Sequence, residues 1–156
     1  MTKPPLSAEQ EALYRLIEDT REHVFVTGRA GTGKSTIAVG SLESHVRTAG
    51  RVGVFRPISR STTEDDYVLD LLHAHATAPA PIEEMVGATY EEVHADPEAA
   101  LAQILGRFKA VERRCDAVVI VGSDYTDVGT PTELRFNARI AANLGAPVLL
   151  VLGGRK

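Results

Sequence analysis

Residues 23–50 read HVFVTGRAGTGKSTIAVGSLESHVRTAG, and their reading decides the fold. Inside them, Gly28–Ser35 (GRAGTGKS) is a complete G-x-x-x-x-G-K-[ST] phosphate-binding loop, the Walker A pattern. HVFVT before it suits a short buried strand, and TIAVGSLESHV after it suits a helix, which is the context the motif requires. Gly28, Gly31 and Gly33 are expected to turn the backbone tightly at positive φ. The exposed N–H groups would form an anion nest, and a helix starting near Gly33 would add its unpaired donors and dipole. Lys34 is expected to reach β/γ-phosphates, Ser35 to hold Mg²⁺, and Thr36 to touch an α-phosphate. The nucleotide-binding candidates are therefore Gly28, Arg29, Ala30, Gly31, Thr32, Gly33, Lys34, Ser35 and Thr36, with Arg29 reading as solvated.

Working outward, LSAEQEALYRLIEDT on the N-terminal side starts with Ser7 and Gln10 at capping-box spacing. Ala12, Leu13, Leu16 and Ile17 then form a stripe at helical period. On the other side, the helix of the loop should stop at Gly50. RVGVFR reads as a second strand that Pro57 ends. A polar loop follows, and a helix beginning at Thr63 or Glu64 is expected to turn Val68, Leu71 and Leu72 to one face. IEEMVGATYEEVHA is ambiguous and reads as two short helical turns. Asp96-Pro97 opens a helix to about Arg114. AVVIV is a continuous apolar run, suited to a strand buried on both faces. Thr130-Pro131-Thr132-Glu133 is a capping box for a helix that Gly145 stops, and PVLLVL is the last strand.

Strands alternating with helices predict an α/β three-layer, Rossmann-like sandwich of about four parallel strands in the order 2-3-1-4. The chain, residues 1–156, is expected to be one domain. Its functional edge would lie at the C-terminal ends of the strands, where the loops Gly28–Ser35, Pro57–Asp66 and Gly122–Gly129 converge.

Bulk composition narrows the function. The net charge is −4 and the basic residues are scattered, which argues against a nucleic-acid surface. No run reaches membrane-spanning length and the N-terminus carries no apolar signal core, so no membrane partner and a cytoplasmic location are expected. The five histidines are dispersed, so no metal cluster is expected. Cys115 is the single cysteine, with nothing near it that marks a nucleophile.

Two resemblances accompany these readings. VGVFRPISR, DYVLDLLHAH, VGATYEEVHADPEAALAQI and CDAVVIVGSDYTDVGTPTELRFNARIAANLGAPVLLV resemble the N-terminal domain of bacterial phosphate acetyltransferases, itself similar to dethiobiotin synthetase. This resemblance covers about residues 37–152. LSAEQEALYRLI followed by HVFVTGRAGTGKST, about residues 6–36, is similar to the start of superfamily 1 helicases. That second resemblance implies that Gln10 reads adenine, as a carboxamide can pair with adenine N6–H and N7 together. A capping-box glutamine is the alternative. The meeting of the two patterns near the loop, without the later helicase motifs or an acetyltransferase catalytic domain, carries the expectation of an engineered chimera.

The resemblance also implies a Glu directly after the AVVIV strand as a metal holder. Here Gly122 and Ser123 follow. Asp124 is the nearest substitute beside Ser35, with Asp127, Asp65 and Asp66 further candidates. Arg56-Pro57 stands where the related synthetases carry Lys-Pro near the phosphates. The expectation is a scaffold that binds ATP or another nucleotide, or a phosphate or sulfate anion, with Mg²⁺ and little or no catalysis. Slow Mg²⁺-dependent ATP hydrolysis, or a regulatory module with an unoccupied loop, are the alternatives. The chain is expected as a monomer or an edge-strand dimer, because PVLLVL would form an exposed edge.

Overall fold

The computed structural model describes residues 22–60, 66–78, 80–123 and 132–153. Its strands are β1 (Val24–Gly28), β2 (Val52–Ser59), β3 (Val86–Thr89), β4 (Ala117–Val121) and β5 (Val148–Val151). Its helices are α1 (Lys34–Ala49), α2 (Tyr67–His73), α3 (Ile82–Met85), α4 (Tyr90–Ala95), α5 (Pro97–Glu112) and α6 (Thr132–Leu144). The strands form one parallel sheet in the order β3-β2-β4-β1-β5.

The expected neighbours are all present, since 2-3-1-4 corresponds to β2-β4-β1-β5. The correction is a fifth strand, β3, at the edge beside β2. It lies within the stretch read as two short helical turns, and those turns are α3 and α4 on either side of it. Four residues, VGAT, are too short for a period-two pattern. β3 exists through its pairing with β2, at Arg56–Val86, Ile58–Ala88 and Ser59–Thr89.

Two boundaries also move. β2 runs through Pro57 to Ser59 rather than stopping at it. Its pairing with β4 ends at Phe55–Ile120, so Pro57, which has no N–H to donate, lies beyond that ladder. Helix α2 is capped by Asp66, whose side chain accepts from the N–H groups of Val68 and Leu69. Residues 61–65, including the expected start, lie outside the described residues. The buried face of α2 is Leu69 and Leu72, with Val68 packed at its margin and Leu71 only half-buried.

Handedness explains the layers. The crossovers from β1 to β2 and from β2 to β3 run one way along the sheet, and those from β3 to β4 and from β4 to β5 run the other way. Right-handed connections therefore put α1 and α2 on one face and α5 and α6 on the opposite face. Side chains alternate accordingly. Val24, Val26, Val52, Val54, Val119 and Val121 pack with Leu42, Leu69 and Leu72. Phe25, Phe55, Val118 and Ile120 pack with Ile104, Phe108, Ile140 and Leu144. Phe55 and Phe108 meet edge-to-face at 5.4 Å between centroids. No helix among the described residues is long and apolar enough to cross a membrane.

Candidate nucleotide-binding site

The loop 29–33 joins the C-terminal end of β1, an inner strand between β4 and β5, to the first residue of α1. Gly31 and Gly33 have φ of 78° and 85°, the left-handed region that a Cβ resists. Gly33 occupies the N-cap position without any side-chain cap. The first N–H groups of a 16-residue helix therefore face the loop with the positive end of its dipole. Within the loop, the Thr32 N–H and hydroxyl both donate to the Arg29 carbonyl, at 3.3 Å and 2.7 Å.

Gly28 differs from the expectation of a positive φ. It ends β1 in extended backbone, and its freedom from a side chain serves close approach instead. A Cβ there would stand 2.6 Å from the Val151 carbonyl oxygen of β5 and 3.0 Å from Thr32 Oγ1.

Lys34 begins α1, yet only 3% of it is exposed. Its ammonium donates to the Gly122 carbonyl oxygen at 3.0 Å. Arg56, on β2, comes to the same oxygen from the other side, with one terminal guanidinium nitrogen at 3.1 Å. Two buried cations thus share one carbonyl at the C-terminal end of β4. Gly122 is held there by its N–H, which donates to the Val26 carbonyl at 2.9 Å. A Cβ on it would meet Phe25 Cε1 at 2.9 Å, with Asn137 Oδ1 and Thr27 Oγ1 at 3.2 Å. The position after the AVVIV strand therefore has no room for the glutamate that the resemblance places there. Ser123, next along, is buried against Asn137 of α6, whose Nδ2 donates to Ser123 Oγ at 3.0 Å.

Asp66 closes the third side. Its Oδ2 accepts from Arg56 Nε at 2.6 Å and from Ser59 Oγ at 3.0 Å. Its Oδ1 accepts from the Val68 and Leu69 N–H groups, each at 3.1 Å. Burial pushes the Asp66 carboxyl up, but Arg56 and the donors from Leu69 and Ser59 together hold it below the ordinary carboxylate value.

The remaining candidates divide by exposure. Arg29, Ala30 and Thr36 are exposed, whereas Ser35 is half-buried. Gln10, Asp124, Asp127 and Asp65 lie outside the described residues. Among the described residues, no group of three or more His, Cys, Asp or Glu stands where it could hold a metal. Cys115 is half-buried and burial pushes its thiol up, the reverse of an activated thiolate. Sequence reasoning named Asp66 only as a metal candidate and missed the Gly122 carbonyl and the Ser123–Asn137 pair. A backbone oxygen leaves no residue-type signal, so only the fold could reveal it.

Comparison with known proteins gives the same outline. The model of a family described as an AAA domain matches residues 22–156, taking in β1, the loop and the rest of the sheet. A phosphate acetyltransferase of Nitratidesulfovibrio vulgaris is 28% identical over 132 residues, 80% of this chain. A phosphate acetyltransferase of Synechocystis is 26% identical over a stretch of the same length. The chain spans 19% of the length of each relative.

Proposed function

The chain belongs to this AAA-domain family, a P-loop NTPase-like fold, and we propose that it binds a nucleotide through its phosphates, ATP being the first choice, with little or no turnover. The observation that carries this reading is the burial of Lys34 at the mouth of α1, held on the Gly122 carbonyl beside two glycines at positive φ. A buried ammonium is suited to strong acceptors, and an anion reaching this point would meet its donors. A phosphate oxygen is such an acceptor, and the α1 N-terminus adds donors of the same sign.

Hydrolysis needs more than a cradle: a positioned water and stabilisation of the transition-state charge. Mg²⁺, when bound, would supply charge neutralisation for the phosphates. Among the described residues the Ser35 hydroxyl is the donor suited to it, because both oxygens of Asp66 are already taken. The reading of low turnover rests on the sequence, where Gly122 and Ser123 follow β4 in place of the glutamate that the resemblance implies. Asp124 is the further candidate for the metal shell, and Gln10 for the adenine edge. The reading of the chain as a join of two families rests on residues 6–36, and residues 22–36 of that stretch fall within the single family match. The joined origin is thus supported by residues 6–21 alone. Both relatives are phosphate acetyltransferases and far longer, so the function offered is that of the matched stretch.

A thermal-shift titration with ATP and Mg²⁺ tests the reading. Ligand at a hundred times Kd should stabilise the wild type by about 2.7 kcal/mol. Lys34→Ala should remove most of that gain. No shift in the wild type, or an equal shift in both proteins, would overturn the reading.

A further inference from the structure

We propose that two copies of this chain pair reversibly through the outer edge of β5. The two β5 strands run antiparallel about a two-fold axis, and apolar side chains on the α6 face meet across the join.

Six large apolar side chains are exposed among the described residues, and four of them belong to β5, the residue after it and the start of α6. These are Val148 (52% exposed), Leu150, Leu152 (75% exposed) and Leu134. Val148 and Leu150 line a groove of about 80 Å³ together with Leu134 and Ala138 of α6. Strand alternation gives Leu149 to the α1 face and leaves Val148 and Leu150 on the other. Together the four residues leave on the order of 400 Å² open, a size at which a patch on one chain is often functional.

The backbone of the same strand fixes the register. Among the described residues, β5 is an edge of the sheet. The Phe25 N–H of β1 donates to the Pro147 carbonyl at 2.8 Å. Backbone groups alternate sides along a strand, so Leu149 and Val151 also turn theirs toward β1, and Val148 and Leu150 turn theirs outward. The Val151 carbonyl oxygen would stand 2.6 Å from a Cβ on Gly28 of β1, as that alternation requires. VLLV carries no charged residue and no proline to blunt its edge. An antiparallel copy with Leu149 opposite Leu149 sets Val148 against Leu150 twice, which satisfies every outward donor and acceptor of the two residues. The two-fold axis then stands perpendicular to the sheet. Both α6 helices lie on one side of it, and the Val148 and Leu150 side chains of the two copies become cross-strand neighbours. A second copy suits this face better than the first residues of the same chain do. His45 Nε2 of α1 lies 3.1 Å from the Glu22 carbonyl oxygen, so the chain enters β1 from the α1 side, away from the patch. Two such patches bury on the order of 800 Å², under the roughly 1,200 Å² of standard interfaces, so the pairing depends on concentration.

Sedimentation equilibrium of the full chain from about 5 μM to about 1 mM measures the pairing, without nucleotide, so its outcome is separate from that of the ATP titration. The average mass should rise with concentration toward that of two chains. Leu150→Lys and Val148→Lys each place like charges close together across the join and should weaken pairing about tenfold or more. Circular dichroism confirms the fold of each variant. Amide hydrogen exchange of the wild type decides even if neither variant folds. The Val148 and Leu150 amides should slow as concentration rises, whereas those of Leu149 and Val151, already turned to β1, should not change. A single-chain mass at every concentration would overturn the inference. Pairing of undiminished strength in folded Leu150→Lys and Val148→Lys would overturn it too, by placing the contact elsewhere. Val148 and Leu150 amides that are equally slow at every concentration would show that the chain covers its own edge, and would also overturn it.

Discussion

Gly122 shows how a residue without a side chain can govern a site. Its carbonyl receives Lys34 and Arg56, and a Cβ added to it would meet Phe25, Thr27 and Asn137. Substituting alanine should overpack this point, costing about 1–3 kcal/mol, as an added methyl in a close-packed core does. The same displacement should weaken ATP-induced stabilisation, because the oxygen that aligns both cations moves. Urea denaturation of Gly122→Ala measures the first effect and a thermal-shift titration the second. A variant as stable as the wild type would show that the neighbouring side chains give way. The glycines of GRAGTGKS were legible individually, and Gly31 and Gly33 have the backbone expected of them. Gly28 was legible as necessary but not for its reason, since its crowding comes from Val151, more than a hundred residues along the chain.

At the scale of elements, β5 separates burial from hydrophobicity. Leu149 and Leu150 are chemically identical neighbours, yet Leu149 is 6% exposed beneath the α1 face and Leu150 is 46% exposed on the other. Leu149→Ala should cost about 2–5 kcal/mol, the range for truncating a buried leucine. Leu150→Ala should cost well under half as much. Chemical denaturation of the two variants checks this, and equal losses would mean that the strand register or its covering is different. The run PVLLVL could be recognised as a strand but not oriented, because an unbroken apolar run carries no alternation. The α1 and α5 helices were readable, with Gly50 as a stop and Asp96-Pro97 as a start. β3 was not, because VGAT has neither length nor pattern and owes its conformation to Arg56, Ile58 and Ser59 of the neighbouring strand.

For the whole molecule, charge links the site to acid stability. Asp66, Glu92, Glu98, Glu112 and Asp116 all lie below their ordinary carboxylate values. A carboxyl whose folded value is depressed contributes stability above its unfolded value, and loses it as pH falls through the folded one. Glu98 and Asp116 pair with Arg139 and Arg51 at the surface, where solvent screens them. Asp66 is the enclosed case, so it should dominate. Against burial, which pushes it up, Arg56 and the α2 N–H groups hold it down from the ordinary 3.8. Unfolding free energy should therefore fall as pH drops below about 4. Asp66→Asn should be less stable at neutral pH and show a shallower fall in acid. Urea unfolding at a series of pH values gives both slopes, and parallel curves would assign the acid sensitivity to other groups.

The sequence by itself determined the strand–loop–helix unit around Gly28–Ser35, the parallel α/β class and the neighbour relations of four strands. The first two are legible because glycine conformational freedom, apolar runs and alternation of strands with helices are local signals, while handedness limits which orders are allowed. Only the tertiary structure decided that Lys34 and Arg56 meet on one carbonyl, that Asp66 is committed to Arg56, and that the position after β4 excludes a side chain. Those facts depend on β2 and β4 ending, and α1 beginning, at the same sheet edge. Residues separated by tens of positions are brought within hydrogen-bonding distance there, and neither residue type nor spacing encodes that distance.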